Sequence, residues 1–257
     1  MTRASRSPWR LKTTHVSKAL LDALPGFKNP RTARSVVNSR VFSLPLDEGK
    51  PPAIATVDWR SKGVIPAAKD QGSCFSCTSF AIATTIESLH FMKTKKRIEL
   101  SPGFIHSCLM GSACDQGTDL MKAIEAVCAH GVAFAFPEDY PFPLDQCSTQ
   151  SLYTVKQRVC LWNANAAMNA LVNDGPFAAT MMIDPTFVTL TKGEVYRYKE
   201  TSEPKLHSVC VIGFDQPNQC WIIANSFGER WGDDGCARIA FGDNAPMGER
   251  CGWQLVV

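Results

Sequence analysis

The sequence lacks any apolar run approaching the roughly 18 residues that a membrane-crossing helix needs. It also has no internal repeat and no low-complexity tract, which excludes solenoid and fibrous architectures. Histidine is scarce, with five residues, and no H-x-x-x-H spacing occurs. C-x-x-C occurs once, at Cys74 and Cys77, so a metal site of the zinc-finger kind has no ligand framework, and neither a metal nor a cofactor is expected. His15, His90, His106 and His130 are singly placed and read as structural.

Acidic residues are scarce in the first 40 positions, where Asp22 stands alone against nine Lys or Arg. This gives a local charge of +8 and leaves the remainder at −5, because the whole chain sums to +3. A basic arm of this kind suits nucleic acid, an anionic membrane surface, a transit signal, or attachment to the acidic remainder of its own chain. No early run resembles the apolar core of a secretory signal, since Asp22 and Pro25 interrupt the only candidate stretch. The run Pro45-Leu-Asp-Glu-Gly-Lys-Pro-Pro52 combines turn formers with a proline pair and reads as a linker. It divides the chain into a basic N-terminal segment, residues 1–52, and a domain of residues 53–257. With 45% hydrophobic residues, the chain has ample material for a core.

What is abundant is cysteine, eleven residues in 257. An odd count suits a set of bridges plus one free thiol, and a thiol-rich chain favours an oxidising compartment, secreted or lysosome-like, a preference that the missing secretory signal opposes. The stretch Gln71-Gly-Ser-Cys-Phe-Ser-Cys77 leads into a helical run, residues 77–92, so Cys77 sits at a first helical turn. Unpaired N–H groups and the positive end of the helix dipole favour the thiolate there, which makes Cys77 a candidate nucleophile. A buried thiol, a disulfide half and a redox pair with Cys74 are the alternatives on this stretch alone.

Residues 117–130 repeat apolar side chains at helical spacing and stop at Gly131, and residues 160–173 read as a shorter helix ended by Asp174-Gly175-Pro176. From Phe177 onward, short apolar runs such as 208–214 and 220–224, separated by Asp, Pro, Asn and Gly, read as strands. The expectation is an α+β fold.

Downstream, Leu206-His207-Ser-Val precedes one such strand and Ala224-Asn225-Ser-Phe-Gly follows another, with His207 130 positions and Asn225 148 positions after Cys77. Order, context and spacing together resemble the papain-like cysteine peptidases, from about Val57-Asp58-Trp59-Arg60 to the last residue. The resemblance implies two lobes, one helical and one β-rich, with the active site in the cleft between them. It implies Cys77 as nucleophile, His207 as its proton partner, Asn225 as the residue that orients the imidazole, and Gln71 with the Cys77 N–H as the oxyanion hole. It also implies substrate contacts at Phe75, Gly117, Thr118, Asp119, Thr180, Leu206, Phe227 and Val256. Departures from the family pattern stand at Phe75 (usually Gly), at Thr78 (usually aromatic), at Gln116 (usually Gly) and at Phe227 (usually Trp).

By family position Cys74 pairs with Cys114, and Cys108 with Cys147, each closing a loop worth roughly 4 kcal/mol in the chain-entropy account. Cys128, Cys160, Cys210, Cys220, Cys236 and Cys251 are left without partners by the resemblance. The implied partners are protein or peptide substrates, with residues 1–52 as a pro-segment that blocks the cleft. Nucleic acid is not expected. A peptide-binding relative that has lost hydrolysis is the alternative function.

Overall fold

The structure, a computed structural model, describes residues 50–135, 147, 152–161, 163–201, 205–242 and 252–257. Most of the basic arm and Cys251 therefore lie outside the described residues.

Strand β1 (Thr56–Asp58) leads through a short 3-10 turn at Trp59–Lys62 toward helix α1 (Cys77–Thr94). Helix α1 is buried on nearly every side: Thr78–Ala83 and Thr85–Leu89 are all buried, as expected for a helix enclosed by the rest of the domain. It ends where Lys95 adopts φ 59°, its N–H capping the Phe91 carbonyl. A six-residue π-helical turn, Phe104–Leu109, follows, and then helix α2 (Leu120–His130). Helix α2 starts three residues later than the periodicity suggests because Asp119 is its N-cap, accepting the Lys122 N–H at 3.0 Å. It stops at Gly131, whose φ of 84° a side chain resists.

Strands β2 (Val132–Ala133) and β3 (Leu152–Tyr153) form a small ribbon, and β4 (Gln157–Leu161) precedes helix α3 (Ala164–Asn173). This corrects the expected helix at 160–173. Asn163 accepts the Ala166 N–H and starts the helix there, while Cys160 and Leu161 pair as strand with Trp253 and Gly252. The pairing partner lies some 90 residues away, so local periodicity does not reveal it.

The remaining strands are β5 (Phe177–Ile183), β6 (Val195–Tyr196), β7 (Lys205–Asp215), β8 (Cys220–Ala224), β9 (Cys236–Ala240) and β10 (Gly252–Val256). They join in the order β4-β10-β5-β7-β8-β9-β6, antiparallel except for β6 with β9, and β1 adds to β7. Strand β7 is longer than its apolar run suggests and already contains His207. Gly213 is required where β1 crosses, since a Cβ there would meet the Val57 carbonyl.

Period-two alternation assigns the two faces of the sheet. Phe177, Ala179 and Met181 of β5 and Val209 and Val211 of β7 join a core with Leu171 of α3, Phe187 and Trp221. The opposite face contributes Ala178 to a second core with Ile82 and Ile86 of α1 and Ile124 of α2. The helices α1 and α2 thus gather with the π-helical turn as one assembly against the sheet, and the N-terminus of α1 meets the start of β7.

Two links fix the segment before the nucleophile. Lys69 pairs with Glu87 of α1 at 2.5 Å in a site that leaves both side chains almost inaccessible, and Glu87 also accepts the Leu100 N–H. Burial pushes the Glu87 carboxyl upward against the opposing pull of Lys69. Arg60 grips Asp58 and Asp233, tying the entry strand to the loop after β8.

Candidate active site

Helix α1 begins at Cys77, so the sulfur stands in the first turn, where the helix has N–H groups to spare. Ser76 occupies the N-cap position without a side-chain cap, and its carbonyl accepts from the Ser79 and Phe80 N–H groups. Cys77 is partly exposed and is not in a disulfide. Cys74, three residues earlier, is bonded to Cys114, so the redox-pair reading of C-x-x-C is excluded.

His207 is hydrogen-bonded to Cys77, and its Nε2 lies 2.7 Å from Asn225 Oδ1. The carbonyl oxygen can only accept, so Nε2 carries a proton and Nδ1 is the nitrogen left for the sulfur. Burial raises the Cys77 thiol pKa, but the His207 charge, its hydrogen bond, and N–H groups of Ser208 and Thr78 outweigh that and hold it below its ordinary value. Burial lowers the His207 pKa, and the Cys77 charge together with hydrogen bonds from Cys77 and Asn225 carry it above its ordinary value. The two groups thus favour the thiolate–imidazolium pair over the neutral pair.

Aromatic rings close over the imidazole. Phe227 lies 5.0 Å and Phe187 5.5 Å from it, centroid to centroid, with Trp231 behind both. The ring at 227 is smaller than the indole of the family pattern, and Phe187 extends the cover. The sequence offered no signal for Phe187, which reaches the site from a 3-10 turn, Pro185–Thr189, more than 100 residues from the nucleophile.

Gln71 is buried, with its amide held at both ends. Nε2 donates to the Cys74 carbonyl at 2.8 Å, and Oε1 accepts from Ser226 Oγ at 2.5 Å, next to Asn225. This orientation leaves one N–H on Nε2 for a further acceptor. The Gln71 N–H also donates to the Ser226 carbonyl, so the segment before α1 and the segment after β8 are stitched together at the site.

The residues expected to contact substrate are placed unevenly. Phe75 is partly exposed beside the nucleophile, and its N–H donates to the Cys114 carbonyl. Gly117 is exposed, and Thr118 is tied by its carbonyl to Thr78 Oγ1. Thr180 reaches Ser208 Oγ at 3.3 Å, on the strand that carries His207, and Leu206 precedes that histidine. Asp119 is exposed, and its Oδ1 caps α2 by accepting the Lys122 N–H at 3.0 Å. Val256 lies at the end of β10 opposite Gln157 of β4, and no ladder joins it to Thr180.

The second bridge, Cys108–Cys147, is formed. Cys160 is also disulfide-bonded, to a partner outside the described residues, whereas Cys128, Cys210, Cys220 and Cys236 are free. Cys74, Cys114 and His106 place donor atoms within 4.8 Å of one another, but the two sulfurs are bonded together and offer no thiolate to a metal.

Comparison with known proteins agrees with this geometry. Residues 53–255 match the model of the papain family of cysteine proteases. The chain is 27% identical to ananain of Ananas comosus over 219 residues, which cover 77% of this chain and 62% of that protein. It is 27% identical to mouse cathepsin K over 90% of this chain and 72% of that protein. It is also similar in structure to digestive procathepsin L 3 of Tenebrio molitor, with a TM-score of 0.72 and 23% identity over 93% of this chain and 78% of that one. The likeness to the bromelain protease of Ananas comosus in complex with the E64 inhibitor has a TM-score of 0.68 at 23% identity, covering 79% of this chain and 99% of that one. The chain spans less than two thirds of the length of the first curated relatives, ananain among them. With a helical assembly set against the large sheet and a family match over most of its length, the chain belongs to the papain family of cysteine proteases.

Proposed function

We propose that the protein is a cysteine endopeptidase whose nucleophile is the Cys77 thiolate. One observation carries this reading: Cys77, His207 and Asn225 form a continuous hydrogen-bonded line in which the thiol is shifted down and the imidazole up. In this mechanism the Cys77 sulfur attacks the scissile carbonyl carbon, and the carbonyl oxygen takes up the electron pair. The spare Gln71 N–H and the Cys77 backbone N–H receive that oxyanion; donors so placed are worth about 2.7–4 kcal/mol in the transition state. The imidazolium of His207 gives its proton to the departing amine, leaving a thioester on Cys77. Water then attacks the thioester while His207 takes its proton, and the free acid leaves as the sulfur regains its electron pair. Asn225 keeps the ring aligned through both steps.

Substrates are protein or peptide chains lying along the cleft, with Gly117 pairing to the extended backbone. Thr118, Thr180 and Leu206 present small or apolar surface to the side chain two before the scissile bond, and medium apolar residues are accepted there. Residues 53–257 are the peptidase domain, and the basic segment 1–52 is an inhibitory pro-segment. The occurrence of relatives named as procathepsin L and as a protease in its proform supports such an arrangement.

The test is active-site titration with an epoxide electrophile, followed by a fluorogenic peptide-library scan with and without residues 1–52. Stoichiometric labelling at Cys77 with hydrolysis of library members supports the reading. Peptide binding without labelling or hydrolysis overturns it in favour of an inactive peptide-binding relative, the outcome that the departures at Phe75 and Thr78 make worth testing.

A further inference from the structure

The position after the nucleophile, usually aromatic, holds Thr78, and the structure shows what replaces the ring. Thr78 Oγ1 lies 2.9 Å from the Thr118 carbonyl and 3.0 Å from Ser208 Oγ, and Ser208 Oγ lies 3.3 Å from Thr180 Oγ1. The direction of every bond follows from one constraint. A carbonyl only accepts, so Thr78 spends its single hydroxyl proton on Thr118; Ser208 must then donate to Thr78, and Thr180 to Ser208. The result is a one-way hydroxyl chain, Thr180 to Ser208 to Thr78 to the Thr118 carbonyl. Thr78 and Ser208 are both buried, so each bond is made away from water, and an unmade one costs more than an exposed one.

Each inner member of this chain is adjacent in sequence to a member of the catalytic pair. Thr78 follows Cys77 on α1, and Ser208 follows His207 on β7. Their backbone N–H groups are the two that donate to the Cys77 sulfur. The side-chain bond between them therefore spans the contact of helix and strand and fixes both donors with respect to the sulfur. At its ends the chain reaches Thr118, beside the exposed backbone of Gly117, and Thr180, which is partly exposed on β5.

We infer that Thr78 and Ser208 are positioning residues, whose shared hydroxyl bond holds the first turn of α1 in register with β7 and so keeps Cys77 and His207 within hydrogen-bonding reach. This inference rests on the peptidase reading only for its turnover measurements. The aromatic ring of the family pattern fills space at this position, whereas this chain uses a directional bond, so removal of a single hydroxyl proton acts at the nucleophile without emptying a core.

The experiment compares the full chain with Thr78→Val, Ser208→Ala, the double variant and Thr78→Ser. Carboxamidomethylation of Cys77 by iodoacetamide is followed across pH and read at Cys77 by peptide mass mapping, because Cys128, Cys210, Cys220 and Cys236 are also free. Thr78→Val and Ser208→Ala are each expected to slow alkylation about tenfold at mildly acidic pH, with the acid limb moved upward. On a fluorogenic peptide, kcat should fall by a similar factor with KM within about twofold. Thr78→Ser should restore wild-type behaviour, and the double variant should fall short of the product of the two single effects, because each single variant already loses the bond between Thr78 and Ser208. An unchanged acid limb in both single variants, whatever happens to thermal stability, overturns the inference, and so does full additivity in the double variant. If the wild type hydrolyses no peptide while its alkylation profile responds as described, the peptidase reading fails and the positioning role stands.

Discussion

Replacement of Gln71 by Ala separates chemistry from architecture at this site. The side chain makes two bonds to the protein, to the Cys74 carbonyl and from Ser226 Oγ, and its remaining N–H is assigned to the oxyanion. Loss of the two protein bonds should cost about 1 kcal/mol each, or about 2 kcal/mol in stability. For a chain of this size that corresponds to a fall of about 4–8 °C in Tm. Loss of the oxyanion donor acts only where charge develops on the substrate oxygen, and should lower kcat by about 10²–10³. Alkylation of Cys77 by iodoacetamide forms no oxyanion, and the donors that hold the thiolate, from His207, Thr78 and Ser208, are untouched. It should therefore stay within about threefold of wild type. The assay is steady-state turnover of a fluorogenic peptide beside the alkylation rate at one pH, with the thermal midpoint as a control. Turnover and alkylation falling by the same factor would refute the reasoning, since Gln71 would then be building the ion pair. A fall in kcat of less than about tenfold would also refute it, because no oxyanion donor would have been lost.

Cys77→Ala should abolish hydrolysis and epoxide labelling with an unchanged circular-dichroism spectrum, whereas Cys74→Ala should lose roughly 4 kcal/mol of stability by opening the bridge to Cys114 yet still label at Cys77. The plot of kcat/KM against pH should be bell-shaped: it falls on the acid side as the depressed thiol is protonated and on the alkaline side as the raised imidazolium is lost. Asn225→Ala removes a bond that raises the His207 pKa, so its alkaline limb should move downward; an alkaline limb that moves upward would contradict the assignment. Lys69→Met leaves Glu87 buried without its cation, and urea unfolding should show a loss of about 3–5 kcal/mol. A synthetic peptide of residues 1–52 should inhibit the chain lacking them at neutral pH and low salt, and release it near pH 4 or at high salt, as the domain's carboxylates are neutralised or screened. No inhibition at neutral pH and low salt would remove the pro-segment role.

The candidate catalytic residues were legible in the sequence because each sits in a distinctive local context. Cys77 opens a helix, His207 introduces an apolar strand, Asn225 closes another, and the intervals between them suit a known family. The pairing of Cys74 with Cys114 and of Cys108 with Cys147 followed from that resemblance and is formed in the structure. Helix α1 was legible for the same local reason, since its boundaries depend on its own residues.

What the sequence could not express are relations between side chains that approach from distant segments. Cys160 and Leu161 look helical locally, and only the ladder to Trp253 and Gly252 makes them strand. Asp119 reads in sequence as one more carboxylate, and only the start of α2 shows that its Oδ1 also caps a helix. Phe187 becomes part of the site because a 3-10 turn lays its ring against His207. Thr78, in sequence merely a missing aromatic, gains its role because β5 and β7 bring Thr180 and Ser208 into line with it, and a hydroxyl has a bond direction only when its partners are in place. Sequence determined which chemistry the chain carries, since reactivity resides in residue types and their immediate contexts. Tertiary structure decided which of those groups are free to act and which are spent on holding the others, because hydrogen-bond partners, unlike residue types, are set by contact across the fold.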